Sequence, residues 1–404
     1  MKNIIVGQSG GPTAVINSSL FGVIREGLNH TEEIGHVYGM INGIQGFLQD
    51  RYLDLGELPS GTLNALRITP GAYLGSCRYK LPDDLGDEVY PLLFEKLKAL
   101  KVGYFFYIGG NDSMDTVSKL SRFAAKAKST IRFIGIPKTI DNDLIQTDHT
   151  PGFGSAAKYV AASVAEIGLD ASVYEAKSVT IVEIMGRHAG WLAASSVLAR
   201  KYEGDNPVLI YLPEVPFDQE AFLSQVQESL EQRPNLVVCV SEGIHDKEGR
   251  FICEYSGEAG TDTFGHKMLT GCGKYLENLV KERLGVKVRS VELNVCQRCS
   301  TFAQSLTDAR EASMAGSFGV EAALKGETGK MVSFVRASGP SYGISCSLVD
   351  VNEVCNQEKT VPLGWIIKEG TDVGQEFIDY ALPLIQGNPA LPMKNGLPDY
   401  AYRK

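Results

Sequence analysis

Two carboxylates, Asp141 and Asp143, lie just after a lysine and a hydroxyl in the run Pro137-Lys138-Thr139-Ile140-Asp141-Asn142-Asp143. This set suits phosphoryl transfer, in which an ammonium neutralises phosphate charge and one carboxylate takes the proton of an attacking alcohol. The apolar run Arg132–Ile136 precedes it, so the polar groups stand at the end of an expected buried strand, where packing gives no reason for them. Gly109-Gly110-Asn111-Asp112-Ser113 follows a second apolar run, Tyr104–Ile108, and an N-cap accounts for only one of its polar residues. Met185-Gly186-Arg187-His188 ends a third run with a guanidinium fit for phosphate or sugar, while His188 reads as a packed or capping residue. Glu242, in Ser241-Glu242-Gly243, ends a fourth and can hydrogen-bond sugar hydroxyls. Gly10-Gly11 follows the opening strand, where backbone amides can meet phosphate oxygens; a tight strand-to-helix turn explains this pair equally well. It matches neither the dinucleotide fingerprint nor the P-loop. Cys296-Gln297-Arg298-Cys299 lacks the second ligand pair a zinc site needs, so its cysteines read as packing residues and Arg298 as the functional one.

The elements that must position these groups alternate along the chain. Apolar runs at 3–6, 104–108, 132–136, 179–184, 208–212, 236–240, 286–293 and 331–335 read as strands. Between them lie helical patterns, among them a helix opened by Pro12 and others over 155–167, 189–198, 264–284 and 302–324. Alternation of this kind predicts an α/β fold of two Rossmann-like αβα lobes, with the active site in the cleft at the carboxyl ends of their strands. A donor-binding lobe is expected over 1–138, completed by about 260–300. A sugar-phosphate lobe is expected over 139–255, completed by about 301–325, with 326–404 a C-terminal extension packing on both.

Composition bounds the rest. With 404 residues, 44% hydrophobic, the chain can bury more than one core. Its net charge of -9 argues against coating nucleic acid or an anionic membrane, which need a positive field. The N-terminus has only a four-residue apolar run, too short for a signal or a membrane span, and eight scattered cysteines read as reduced thiols. A cytoplasmic protein is expected.

Taken together the motifs resemble the phosphofructokinase family, and more closely its pyrophosphate-dependent branch. The matches are Ser9-Gly10-Gly11, Leu74-Gly75-Ser76-Cys77-Arg78, GGNDS at 109–113, PKTIDND at 137–143, MGRHAG at 185–190, SEG at 241–243 and QR at 297–298. The resemblance implies a reversible, Mg²⁺-dependent transfer of phosphate from pyrophosphate to the 1-hydroxyl of fructose 6-phosphate, a step of glycolysis and gluconeogenesis. It implies Asp141 as general base, with Lys138 and Asp112 as catalytic partners. Thr139, Ile140, Asp143, Met185, Gly186, Arg187, Glu242, Arg289 and Arg298 are its implied substrate contacts, Gly10, Gly11 and Arg78 its donor-phosphate contacts, and Asn111 its metal-side residue. A homodimer or homotetramer with sites near subunit interfaces follows from the same resemblance.

ATP-using relatives usually carry glycine where this chain has Asp112 and Lys138. A carboxylate at 112 would repel a nucleotide α-phosphate, and Lys138 would stabilise a phosphoryl group lacking a nucleotide's other contacts. Three positions depart from the branch. Asn111 replaces a metal-side Asp, Val295 a polar residue that many relatives have before the QR pair, and Ser178, beside Lys177, an arginine frequent in ATP-using relatives. The competing readings are an ATP-dependent 6-phosphofructokinase, or a sugar-phosphate-binding module without catalysis. A nicotinamide oxidoreductase lacks its fingerprint glycines here.

Overall fold

Strands buried on both faces need cover on both, and such strands form the centres of the two main sheets among the described residues. The computed structural model describes residues 1–256, 271–339 and 341–403. In chain order its main strands are β1 (Lys2–Gln8), β2 (Ile34–Met40), β3 (Tyr52–Asp54), β4 (Val102–Gly109), β5 (Arg132–Pro137), β6 (Ser178–Ile184), β7 (Leu209–Tyr211), β8 (Asn235–Ser241), β9 (Lys287–Glu292), β10 (Lys330–Arg336) and β11 (Ile344–Asp350). One sheet has seven strands in the order β11-β10-β5-β4-β1-β2-β3; the other has four, β7-β8-β6-β9. The second is wholly parallel, and the first is parallel except for its outer pairs β2–β3 and β10–β11.

Side-chain alternation divides each sheet between two cores. Ile4, Val6, Phe106, Ile108, Ile134 and Ile136 face one layer of the larger sheet. Their neighbours Ile5, Phe105, Tyr107 and Phe133 face the other. In the smaller sheet Val182, Ile184, Val237 and Cys239 enter one core and Val179, Ile181, Leu236 and Val238 the opposite one. The two-lobe αβα expectation therefore holds.

The completing segments are exchanged relative to expectation. Residues 271–300 add the helix Cys272–Leu284 and β9 to the smaller sheet, not the larger, while 260–270 lie outside the described residues, as does the start of the helix expected from 264. The helix Leu306–Leu324 and strands β10 and β11 go to the larger sheet. Small residues explain the helix's choice. A Cβ on Gly22, in the helix Ile16–Asn29, would lie 2.1 Å from the Ser313 carbonyl oxygen, and one on Gly316 would lie 2.2 Å from that of Ser19. Two backbones this close have room only for glycine at the crossing. Gly316→Ala is expected to lower unfolding stability by about 2–3 kcal/mol through overpacking, read as a lower urea midpoint with unchanged m-value. The first helix itself begins at Ile16, four residues beyond Pro12, and the expected helix at 189–198 is a short α turn (Trp191–Ala194) running into a 3₁₀ turn (Ser195–Ala199). No helix among the described residues is long and apolar enough to cross a membrane.

Candidate active site

The ends of β1, β4 and β5 on one lobe face those of β6 and β8 on the other across a cleft of about 730 Å³. From the larger lobe come Gly10, Gly11, Arg78, Asn111, Asp112, Lys138, Thr139, Ile140, Asp141 and Asp143; the smaller contributes Met185, Arg187, Glu242 and Arg298. Gly186 stands between two of these, and its N–H donates to Glu242 Oε1 at 3.2 Å. Its φ of +139 and a Cβ position 2.6 Å from the Ala189 carbonyl oxygen make this loop specific for glycine.

Lys138 is buried, and its Nζ donates to the carbonyl of Gly11, so the ammonium spans from β5 to the glycine turn after β1. Burial pushes its pKa down to about 8, against the pull of Asp141 and Asp143. Burial also raises Asp141, which Lys138 partly offsets. Asp143 is pushed up to about 7 by burial and by the charge of Asp141. Thr139 steadies Asp141: its hydroxyl donates to Asp141 Oδ2 at 3.4 Å and accepts from the Asp141 N–H at 3.1 Å. Across the cleft, burial raises Glu242 to about 8, so near neutrality it is mostly a protonated, hydrogen-bonding acid.

The loop's shape is fixed from outside. Asn142 is buried with φ +54; its Nδ2 donates to the Tyr380 hydroxyl at 2.8 Å and its Oδ1 accepts from the Thr150 N–H at 3.1 Å. Arg298 sits on the helical turn Cys296–Cys299, whose buried Gln297 accepts from the Met185 N–H at 3.4 Å. A Cβ on Gly11 would lie 3.2 Å from Arg298 Nη1, so this guanidinium reaches across to the glycine turn of the other lobe.

Arg289 does not join the cleft. Strand alternation turns it, with Lys287 and Val291, into a separate hollow of about 320 Å³ beside Ser178 and Thr180, on the edge strand β9. Cys296 and Cys299, expected as packing residues, are exposed, because the turn that carries them lies at the surface. His188 is likewise exposed at the cleft, 6.3 Å from the Phe251 ring. No group of three or more His, Cys, Asp or Glu among the described residues is arranged to hold a metal.

Sequence reasoning missed Lys80, Asn356 and Glu358, which also line the cleft. Lys80 follows Arg78 by two residues and carried a local signal. Asn356 and Glu358 belong to the C-terminal extension, which crosses both lobes. Asn111 Nδ2 donates to the Gln357 carbonyl at 3.0 Å, the Lys359 N–H to the Asp143 carbonyl at 2.7 Å, and the Val361 N–H to Glu214 Oε1 at 2.9 Å. Lys359 Nζ also donates to the Asp148 carbonyl at 2.8 Å.

Comparison with known proteins agrees with this geometry. The sequence pattern described as Phosphofructokinase matches residues 3–323. The chain is 40% identical to a Pyrophosphate--fructose 6-phosphate 1-phosphotransferase of Halomonas elongata, covering 99% of this chain and 95% of that one. A protein of the same name from Methylococcus capsulatus is 41% identical over the same shares. The crystal structure of Pyrophosphate-dependent phosphofructokinase from Marinobacter aquaeolei superposes with a TM-score of 0.89 at 39% identity, covering 99% of this chain and 96% of that one. On fold, motif order and full-length kinship, the chain belongs to the phosphofructokinase family.

Proposed function

We propose that this chain reversibly transfers a phosphoryl group from pyrophosphate to the 1-hydroxyl of fructose 6-phosphate, giving fructose 1,6-bisphosphate and phosphate. The observation that carries this reading is the convergence of Lys138, Asp112 and Asp141 in one cleft, with the ammonium bridged to the Gly11 carbonyl. The larger lobe holds the donor on Gly10, Gly11, Arg78 and Lys138. The smaller lobe holds the sugar phosphate on Met185, Gly186, Arg187 and Glu242. Asp141 takes the proton of the 1-hydroxyl as its oxygen bonds to phosphorus and the P–O–P bridge breaks, releasing phosphate. Catalysis is mainly positioning and charge neutralisation, with Lys138 facing the charge that develops on the transferred group.

The residues fit Mg²⁺. Asn111 Oδ1 and Asp143 Oδ1 are buried without a hydrogen-bond partner among the described residues, and such oxygens suit a hard cation. Mg²⁺ usually takes one or two carboxylates plus substrate phosphates, so no closed protein cage is needed. When bound it supplies charge neutralisation to the phosphate oxygens. We place the enzyme in the cytoplasm as a homodimer or homotetramer. The position of Arg289 on an edge strand, away from its own cleft, supports a role for it in a neighbouring subunit's substrate site.

A coupled assay with each donor tests the reading: turnover is expected with pyrophosphate, and turnover with ATP alone would overturn it. The pH profile gives a second check. Asp141 must be ionised, so kcat/KM is expected to fall as pH drops through its raised pKa. Lys138 must be charged, so kcat/KM is expected to fall again above about 8. Lys138→Arg keeps the cation at all pH values and is expected to remove the basic limb that Lys138 causes.

A further inference from the structure

Glu358 is an exposed carboxylate in an acidic part of the cleft, with no hydrogen bond or ion pair among the described residues. Its backbone is nonetheless clamped on both sides. The carbonyl of Gln357 accepts from Asn111 Nδ2 at 3.0 Å, and the N–H of Lys359 donates to the Asp143 carbonyl at 2.7 Å. The residue between these two bonds is thus held between Asn111 and Asp143, two cleft residues whose buried side-chain oxygens lack partners among the described residues. A carboxylate at 111 has no proton to donate to the Gln357 carbonyl, so only the amide can make the first clamp. Glu358 shares that cleft with the carboxylates of Asp112, Asp141 and Asp143. Like charges gathered in one cleft are relieved by a cation.

Resting on the function proposed above, we propose that Glu358 supplies a charged ligand-side carboxylate for the divalent cation that accompanies pyrophosphate, and that Asn111 is the residue positioning it. The negative charge that position 111 lacks is delivered instead by the C-terminal extension, while the amide at 111 ties that extension in place.

The test uses the full chain with Mn²⁺ as probe and methylenediphosphonate as a donor analogue that cannot transfer its phosphoryl group. Bound Mn²⁺ is read by electron paramagnetic resonance. Glu358→Gln is expected to weaken analogue-dependent Mn²⁺ binding at least tenfold while fructose 6-phosphate affinity stays within twofold. Adding Asn111→Asp to that variant is expected to recover most of the Mn²⁺ affinity, because a carboxylate returns to the same side of the site. Glu353→Gln, an exposed change earlier in the same segment, is expected to leave binding unaltered. Unchanged Mn²⁺ affinity in Glu358→Gln overturns the proposal, and so does an equal loss of fructose 6-phosphate affinity, which marks a merely structural role. If the unaltered protein shows no analogue-dependent Mn²⁺ binding and uses only ATP, the pyrophosphate reading itself fails, an outcome distinct from either.

Discussion

Asp141→Asn is expected to lower kcat by about 10³-fold, within the range of roughly 10²–10⁴ for a removed general base, with the KM for fructose 6-phosphate changed severalfold at most. The amide keeps the size of the side chain and can still meet the Thr139 hydroxyl, which now faces the carboxylate at 3.4 Å. What disappears is the site for the proton. The acidic limb of the pH profile should vanish with it, since burial raises that carboxyl above its ordinary value. Stopped-assay kinetics over pH, with fructose 6-phosphate binding followed by calorimetry, separate this outcome from simple unfolding. A retained rate would remove Asp141 from the base role.

Lys138→Met is expected to cost about 10²–10³-fold in kcat with pyrophosphate, the scale seen when a donor aimed at developing charge is lost. The methyl thioether fills the same buried space but leaves the Gly11 carbonyl without its ammonium partner. The paired change Asp112→Gly with Lys138→Gly should abolish pyrophosphate use and give measurable turnover with ATP. It removes a carboxylate that repels a nucleotide and opens the buried volume that Lys138 now occupies. Steady-state rates with both donors decide it: an unchanged preference for pyrophosphate would take donor choice away from these two positions.

The motifs at 109–113, 137–143, 185–190 and 241–243 were legible because each lies where a buried strand stops. A buried strand followed at once by Lys138, Asp141 and Asp143 leaves little freedom in where those groups can be. The partners of the outer strands were not legible. β9 is a half-buried edge strand and β10 an apolar one, and neither pattern says which of two sheets it joins. For β10 and the helix before it, the answer lay in the close approach of Gly22 to Ser313 and of Gly316 to Ser19, groups nearly three hundred residues apart in the chain. That Arg289 lies outside its own cleft was not legible, because spacing along the chain gives no face. Once β9 has a register, period-two alternation sends it away from the cleft with Lys287 and Val291. Glu358 lies in a polar stretch that reads as an ordinary loop, and only its clamps to Asn111 and Asp143 give it meaning.

The order in which the strands are made has a consequence for biosynthesis. The smaller sheet is built from one continuous stretch, β6 to β9, and can close as soon as that stretch has left the ribosome. The larger sheet cannot. Its strand β5 waits for β10 across roughly 190 residues, about 10–40 s at ordinary elongation rates. Through that interval the apolar edge of β5 is open to wrong partners, and the nascent chain has half its catalytic cleft without its last wall. Chaperones that shield apolar strand edges should therefore matter most for the segment ending in β5, whose outer edge waits longest for its partner.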